Sequence, residues 1–415
     1  MRRMSRAPLP ALLVLAACGG APAPADTAAS TSTPASATTA TTATTAPVPG
    51  DSSGATPTGS GGASLGGTDT TDATSTGPVL TTTASSSTSS TDSTTTDSTT
   101  IDSTTTDSTT DSTTADPPLL TLEHAQFKGT HNSYHQKPLI PFDPSHNYSH
   151  VPLAEQLADQ GVRAFELDVH EGLNGFEVYH ITVIDAVTSC DTLPGCLGAI
   201  EMWSVTHPQH LPVVVWIELK DSTGGTPIDA ADLDTLDDTI RGVFAEPHLF
   251  TPDDLKGDHA SVRDALADGW PALDSMRGQV LVVLLNVDDP RAGAYTAGFT
   301  HLDGRAMFVR ATPEQFDMPW TAIAKLGADD DAAIAAAHAA HMLIATNTCG
   351  AGEADDVCFA SLAAAEAAGI HMLKDDFPAE VDGKAYWLDL QDGTPARCNP
   401  VTAPPGCTSL ALEDL

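Results

Sequence analysis

The chain has 415 residues and carries 55 acidic side chains against 18 basic ones, a formal net charge of −37. Nucleic-acid phosphates are bound through Lys and Arg, so this balance excludes a nucleic-acid partner. The chain also lacks a polybasic patch for anionic membranes. Most of the acidic charge is expected to form a solvated surface. We also expect the protein to be a monomer.

Residues 1–18 are predicted to be an export signal. Arg2, Arg3 and Arg6 precede an apolar run that is too short to cross a bilayer as a mature helix. The run ends in "LAAC", which resembles a bacterial lipoprotein cleavage site and implies lipidation of Cys18. An ordinary signal peptide with a chance cysteine is the alternative. We therefore expect an exported protein, either a cell-envelope lipoprotein (outer membrane or cell surface) or a secreted one.

Residues 19–117 are rich in Ser, Thr, Ala and Asp, hold almost no large apolar side chains and repeat the tetrapeptide "DSTT". Such a segment cannot bury enough apolar surface to offset the entropy of ordering, so we predict a disordered linker. Behind a lipidated Cys18 it would act as a tether. Residues 118–415 remain for one barrel-sized domain, with a C-terminal extension from about 381.

Six further cysteines fall into three pairs that are close in sequence. An even number of cysteines in an exported protein indicates disulfides. A zinc site is the alternative, but no CxxC spacing occurs. The other pairings stay open, and we predict the three local ones: Cys190–Cys196, Cys349–Cys358 and Cys398–Cys407.

The rest of the chain alternates between strand-like and helix-like segments. Strands are predicted over 125–131, 162–170, 176–181, 211–221, 280–287, 307–311, 343–346 and 370–376. Helices are predicted over 152–161, 196–205, 232–245, 331–342 and 359–369. About eight strands with helices between most of them predict a closed parallel α/β barrel of the TIM type, (β/α)8. A doubly wound open sheet is the alternative, but no Gly-rich phosphate loop follows any strand.

Charged side chains interrupt two of these strands with a period of two. Glu166 and Asp168 share one face of "VRAFELDVH", and Glu218 and Lys220 share one face of "VVVWIELKD". The opposite, apolar faces should meet the helices. The charged faces then point into the barrel near the carboxyl ends of the strands, where catalytic residues of such barrels lie.

Carboxylates placed this close together need a positive charge beside them. Two unit charges about 4 Å apart interact by roughly 4 kcal/mol at an effective dielectric of 20. Lys220 supplies one positive charge, and a divalent cation would supply two. Glu166, Asp168, Glu218 and the amide oxygen of Asn132 form an all-oxygen set, which suits Ca²⁺ or Mg²⁺. Unrelated rim charges, each satisfied by a Lys or Arg partner, are the alternative.

Several ordered segments resemble phosphatidylinositol-specific phospholipase C, most closely its bacterial calcium-dependent branch. They are "THNSY" (130–134), "GVRAFELDVH" (161–170), "VYHI" (178–181), "LPVVVWIELKD" (211–221), "GWPALDSMRGQVLVVL" (269–284) and "HMLKDDFP" (371–378). The resemblance covers residues 120–380 and implies a TIM-type barrel. It also implies that His131 and His180 are catalytic and that Asn132, Glu166, Asp168 and Glu218 bind Ca²⁺.

Other polar residues receive weaker assignments. Lys220 matches a site lysine of the family but could equally be a partner of Glu218. Arg310 alternates onto the inward face of "MFVRA" and could bind phosphate. His135 and His170 are expected near the site without taking part.

The resemblance implies attack of the inositol 2-hydroxyl on the neighbouring phosphodiester, with diacylglycerol as the leaving group. His180 would protonate the leaving oxygen, and a carboxylate of the ligand set or His131 would take the hydroxyl proton. Few basic residues are available for extra phosphates. We therefore expect phosphatidylinositol or a glycosylated inositol lipid as substrate, presented on a membrane surface.

Two other functions are alternatives. A glycerophosphodiester phosphodiesterase shares the barrel and calcium, but that family resembles His-Arg-Gly and His-Asp at its two motifs. Here those motifs read His131-Asn132-Ser133 and His180-Ile181. The second alternative is an inactive domain that binds a surface lipid or glycan.

Overall fold

The computed structural model describes residues 118–173, 175–220, 228–287, 290–391 and 394–413. The predicted signal, the linker and Cys18 lie outside the described residues. No helix among the described residues is long and apolar enough to cross a membrane.

Eight parallel strands close into a barrel: β1 Ala125–Thr130, β2 Ala164–Gly172, β4 Val213–Leu219, β5 Val280–Leu284, β6 Met307–Ala311, β7 Ile323–Lys325, β8 Leu343–Cys349 and β9 Met372–Asp375. Their spatial order is β1-β2-β4-β5-β6-β7-β8-β9 and back to β1. The barrel prediction is confirmed, and the open-sheet alternative is wrong.

Gly129 lies where β1 closes the barrel between β2 and β9. It pairs with Ala164 on β2 and with Lys374 on β9. A Cβ atom at this position would lie 2.8 Å from Cγ of Lys374 and 3.0 Å from Cβ of Ala164. Only glycine therefore lets the three strands meet here without a shift in their side chains.

One of the eight predicted barrel strands is wrong. In place of the segment 176–181 the structure has β3 (Gly175–Val178), which pairs antiparallel with the end of β2 and lies outside the barrel. The eighth place belongs to β7 (Ile323–Lys325). Three residues are too few to show a period of two, so this strand left no recognisable pattern in the sequence.

Ten α-helices are found in the described part of the chain. Their bounds are α1 Leu153–Ala158, α2 Leu193–Thr206, α3 Ala230–Val243, α4 Pro252–Lys256, α5 Val262–Ala265, α6 Leu273–Met276, α7 Pro290–Tyr295, α8 Asp331–Ala339, α9 Asp355–Ala367 and α10 Ser409–Leu412. The five predicted helices correspond to α1, α2, α3, α8 and α9. The two longest, α2 and α3, begin at side-chain caps: Thr192 accepts from the Gly195 amide, and Asp229 accepts from the amides of Ala231 and Asp232.

The last described residues pack on the barrel. Strand β10 (Ala396–Cys398) pairs antiparallel with β1. Glu413 accepts two hydrogen bonds from the buried Arg163 guanidinium, at 3.0 Å from Nε and 2.6 Å from Nη2. The three predicted disulfides are confirmed: Cys190–Cys196, Cys349–Cys358 and Cys398–Cys407.

Candidate active site

The predicted site residues lie on neighbouring strands at the carboxyl end of the barrel. His131 directly follows β1, Glu166 and Asp168 lie in β2, and Glu218 lies in β4. Because β2 and β4 pair in parallel with Asp168 opposite Glu218, the two carboxylates are neighbours across the strands. One oxygen each of Glu166, Asp168 and Glu218 lie within 4.8 Å of one another.

The "THNSY" turn fixes His131 at this rim. The Ser133 amide donates to the Glu166 carbonyl at 2.9 Å, and the Glu166 amide donates to Oγ of Ser133 at 2.8 Å. Asn132 has a φ of 44°, a left-handed conformation that asparagine tolerates better than most residues. Its buried side chain lies beside the Tyr148 hydroxyl. The two hydrogen bonds between Ser133 and Glu166 therefore hold the end of β1 against the middle of β2.

His131 is held between two carboxylates. Its Nδ1 lies 2.9 Å from Oδ1 of Asp376, and its Nε2 lies 3.6 Å from Oε1 of Glu166. Burial alone would lower the pKa of His131. The hydrogen bond to Asp376 and the charges of Glu166 and Asp376 outweigh burial, so the pKa lies above its usual value. The imidazole is therefore biased toward its protonated form.

Glu166 is paired with two lysines. Nζ of the fully buried Lys374 hydrogen-bonds to Oε2 of Glu166, and Nζ of Lys325 lies 3.4 Å from the same oxygen. Burial would raise the pKa of Glu166, but the charges of Lys374, Lys325 and His131 hold it well below its usual range. Burial lowers the pKa of Lys374 to about 7, although Glu166 opposes that shift. Glu166 is thus a fixed negative charge inside the barrel.

Asp168 is buried with less compensation. Nζ of Lys220 lies 3.2 Å from Oδ2 of Asp168 and 2.7 Å from Oε1 of Glu218. Neither carboxylate oxygen of Asp168 accepts a well-aligned hydrogen bond from the described residues. Burial raises the pKa of Asp168 to about 7; Lys220 opposes this rise, while Glu218 and Glu166 add to it.

A divalent cation fits this set of donors. Three carboxylates converge, one of them lacks well-directed donors, and hard cations such as Ca²⁺ prefer oxygen ligands. Glu166, Asp168 and Glu218 would supply charged oxygens. Asn132, at the end of the adjacent strand, would supply a neutral one.

His180 lies in the loop after β3, not in a strand as the sequence predicted. Its Nδ1 donates a hydrogen bond to Oδ2 of Asp185 at 2.6 Å. Burial lowers the pKa of His180, although the hydrogen bond to Asp185 opposes that effect. The fully buried Asp185 carboxylate also accepts from Nε2 of His135 at 2.9 Å, and Nδ1 of His146 lies 3.7 Å away.

Two other predicted residues lie beside the site. Arg310, in β6, lines a cavity of about 510 Å³ together with Glu218, Asn286 and Lys325. His170 stacks on Tyr179 with ring centroids 3.8 Å apart and donates to its carbonyl at 2.8 Å.

Sequence reasoning missed the partners that hold these groups. Lys374 and Asp376 lie in and just after β9, within the quoted segment "HMLKDDFP", so the strand-end argument used for Glu166 and Asp168 would have found them. Asp185 lies in a loop without periodicity. No pattern in the sequence links it to His180 or His135.

Two comparisons with known proteins found similar proteins. A family model described as Ca²⁺-dependent phosphoinositide phospholipase C matches residues 172–400. A solved calcium-dependent phosphoinositol-specific phospholipase C from the Gram-negative bacterium Pseudomonas sp. is 20% identical, with a TM-score of 0.47 over 63% of this chain and 92% of that chain. A Ca²⁺-dependent phosphatidylinositol-specific phospholipase C from Streptomyces antibioticus is 21% identical, with a TM-score of 0.46 over 62% of this chain and 95% of that chain. No curated protein matches the sequence.

Proposed function

The chain belongs to the family of Ca²⁺-dependent phosphoinositide phospholipases C, and on that premise we propose that it cleaves phosphatidylinositol-type lipids into diacylglycerol and a cyclic or open inositol phosphate. The observation that carries the proposal is the pair of rim histidines, each held at Nδ1 by a buried carboxylate. Asp376 holds His131, and Asp185 holds His180. Such pairs fix the tautomer and orientation of an imidazole that transfers protons.

The two histidines have different roles in this mechanism. With its Nδ1 on Asp185, His180 presents Nε2 to the substrate and protonates the leaving glycerol oxygen. His131, whose pKa is raised, acts as an imidazolium that stabilises the charge developing on a phosphoryl oxygen. The proton of the inositol 2-hydroxyl passes to Asp168 or Glu218, since Glu166 is held ionised by its two lysines.

Calcium, when held by Asn132, Glu166, Asp168 and Glu218, would lower the pKa of the attacking hydroxyl and offset charge on the phosphate. Lys220, Lys325 and Lys374 act alongside it, because they fix the positions of these carboxylates through ion pairs. The ion pairs of the protein itself therefore position the proposed calcium ligands.

Phosphatidylinositol or a glycosylated inositol lipid is proposed as the substrate, in preference to multiply phosphorylated inositides. The cavity beside Glu218 contains two basic side chains, Arg310 and Lys325, among its described lining residues. Lys325 also faces Glu166 at 3.4 Å. Two further phosphates would require a cluster of Lys and Arg donors, so one phosphodiester suits this cavity better.

Exposed apolar side chains on the loops beside the site favour a lipid surface as the location of the substrate. Leu139 is 98% exposed, Phe142 72% and Val183 90%. Their two loops are joined by a hydrogen bond from the Gln136 amide to the Val187 carbonyl at 3.1 Å. A strongly acidic protein cannot rely on Lys and Arg to reach a membrane, so insertion of apolar side chains is the available contact.

Lipidated Cys18 is proposed as a permanent anchor, with residues 19–117 as the tether between the envelope and the barrel. Its support is the "LAAC" ending of the signal-like segment. Mass spectrometry of the mature N-terminal peptide tests this. A lipid-modified Cys18 is expected, and an unmodified N-terminus upstream of it would count against the anchor.

The activity is tested by incubating the purified protein with phosphatidylinositol vesicles and with glycerophosphocholine, each with Ca²⁺ and with excess chelator. We expect diacylglycerol release from phosphatidylinositol in the presence of Ca²⁺ and no release in excess chelator. Cleavage restricted to glycerophosphocholine would instead identify a glycerophosphodiester phosphodiesterase. Inactivity on both substrates would leave an inactive surface-binding domain.

A further inference from the structure

A loop closed by a disulfide contacts the carboxylate that orients His131. This disulfide loop runs from Cys349, at the end of β8, to Cys358 in α9, and a bond between the two cysteines closes it. Within the loop the Ala351 amide donates a hydrogen bond to Oδ2 of Asp376 at 2.7 Å, and Oδ1 of Asp376 lies 2.9 Å from Nδ1 of His131. On the premise of the proposed function, we propose that the disulfide positions His131 for catalysis by holding the Ala351 amide against Asp376.

Asp376 is attached to the disulfide loop at two points. Its own amide donates to the Cys349 carbonyl at 3.2 Å, and its Oδ2 accepts from the Ala351 amide. The preceding carbonyl, that of Asp375, accepts from the His131 amide at 3.1 Å. The backbone of His131 is therefore held by β9 itself, whereas its ring is held by a carboxylate whose second oxygen depends on the loop.

The disulfide loop has a sequence that gives it little rigidity of its own. Gly350 and Gly352 have no side chain to pack, and glycine has more backbone freedom than any other residue. Gly352 and Glu353 are exposed, and Lys384 adds one hydrogen bond to the Glu353 carbonyl at 3.3 Å. No side chain among the described residues caps the start of α9. The two cysteines are buried, so their bond is well placed to restrict the conformations of the loop.

Loss of this restriction should affect turnover more than substrate binding. A misplacement of about 1 Å caused by a change away from the reacting atoms can cost roughly 100-fold in rate. The loop supplies none of the three carboxylates proposed for calcium and none of the described residues that line the cavity beside Glu218. We therefore expect a lower kcat with an unchanged KM.

Two double variants of the full chain test the role of the bond. Cys349→Ala with Cys358→Ala removes it, and Cys398→Ala with Cys407→Ala is the matched control. Both disulfides join cysteines nine positions apart, so opening either should release a similar entropy in the unfolded chain. The control bond lies at the opposite end of the barrel, because Cys398 pairs with Ala125 at the start of β1.

Turnover is measured on an inositol nitrophenyl phosphate in Ca²⁺, which avoids any effect of vesicle binding. The variant without the Cys349–Cys358 bond should lose roughly 10–100-fold in kcat at unchanged KM. The control should keep its kcat. Melting temperatures of both variants show whether the protein is folded at the assay temperature.

Two further comparisons separate positioning from a general loss of structure. In an Asp376→Ala background, removal of the Cys349–Cys358 bond should lower kcat no further, because both changes act through the same contact. Ala351→Pro deletes the amide hydrogen and leaves the disulfide intact, so it replaces the cysteine variant if that variant is unfolded. It should lose a similar factor in kcat, whereas Ala351→Ser, which keeps the amide, should not.

Equal kcat values in the two disulfide variants, a loss confined to KM, or a further loss in the Asp376→Ala background would overturn the positioning role. If the wild type is inactive on every inositol substrate, the proposed function fails, and hydrogen exchange then decides whether the contact depends on the bond. The Ala351 amide should be protected in the wild type and in the Cys398 and Cys407 variant, and it should exchange faster without the Cys349–Cys358 bond. Equal exchange in the two disulfide variants would contradict the inference.

Discussion

Asp376 accepts a hydrogen bond from His131 across the closing strands of the barrel, with Nδ1 and Oδ1 2.9 Å apart. The two residues are 245 positions apart in the chain and meet because β1 and β9 pair in parallel. Burial lowers the pKa of His131, but the hydrogen bond to Asp376 and the charge of Glu166 raise it by more, so the pKa lies above its usual value.

Asp376→Asn should therefore lower the pKa of His131, since burial then acts against a smaller opposing charge. A group that works protonated loses activity as pH rises through its pKa. The alkaline limb of kcat/KM should thus move to lower pH, and an NMR titration of the imidazole should move in the same direction. Asp331→Asn, an exposed carboxylate on α8, is the control. A His131 pKa that stays unchanged in Asp376→Asn would contradict the role given to this pair.

Alanine substitutions of the two histidines should lower activity by different factors when the leaving group changes. His180→Ala removes the general acid, so it should lose roughly 10²–10⁴-fold on phosphatidylinositol. It should lose far less on an inositol nitrophenyl phosphate, whose leaving group hardly needs a proton. His131→Ala should lose similar factors on both substrates because it acts on the phosphoryl oxygen. Equal losses of activity for His180→Ala on both substrates would contradict its assignment as the general acid.

Calcium should stabilise the folded protein through the carboxylate set. An ion that binds only the native state adds about 2.7 kcal/mol at a concentration 100 times its dissociation constant. The wild type should therefore melt at a higher temperature in Ca²⁺ than in chelator. In Glu218→Gln that difference should shrink, while Glu314→Gln, an exposed control, should keep it. Full activity in excess chelator would refute metal dependence.

Apolar side chains at the rim should matter for vesicles and not for soluble substrate. Burying a large aliphatic or aromatic side chain contributes about 1.5–3 kcal/mol, and 1.4 kcal/mol corresponds to about tenfold in affinity. Leu139→Ser combined with Phe142→Ser should therefore weaken sedimentation with phosphatidylinositol vesicles by tenfold or more. Activity on an inositol nitrophenyl phosphate should be retained. Val357→Ser, at an exposed position on α9, is the matched control; an equal loss there would argue against a specific lipid-facing rim.

The Arg163–Glu413 ion pair should contribute strongly to stability. Glu413→Gln leaves a buried guanidinium without its counter-charge, a change that typically costs about 3–5 kcal/mol. Urea unfolding monitored by fluorescence measures it. Glu246→Gln removes the partner of Arg241 in an exposed pair 3.9 Å apart and should cost about 0–1 kcal/mol. Similar losses in both variants would mean that burial of Arg163 adds nothing.

The barrel and much of the site could be predicted from the sequence because their signals are local. A strand with charged residues at every second position, such as Glu166 and Asp168, shows both its own periodicity and the face that carries chemistry. The disulfides are likewise close in sequence: Cys190 and Cys196 are six positions apart. Only the barrel strand β7 was too short to be recognised.

What the tertiary structure alone decided is which charges meet. Lys374 on β9 forms an ion pair with Glu166 on β2, and Asp376 hydrogen-bonds to His131. Asp185 lies within 4 Å of three histidines from two loops. Strand periodicity fixes the face on which a side chain lies, but it contains nothing about the neighbour that barrel closure brings to that face. Loops carry no periodicity at all. The ionisable residues could thus be identified from the sequence, whereas their pKa values and partners depend on distances of a few ångströms that only the closed barrel sets.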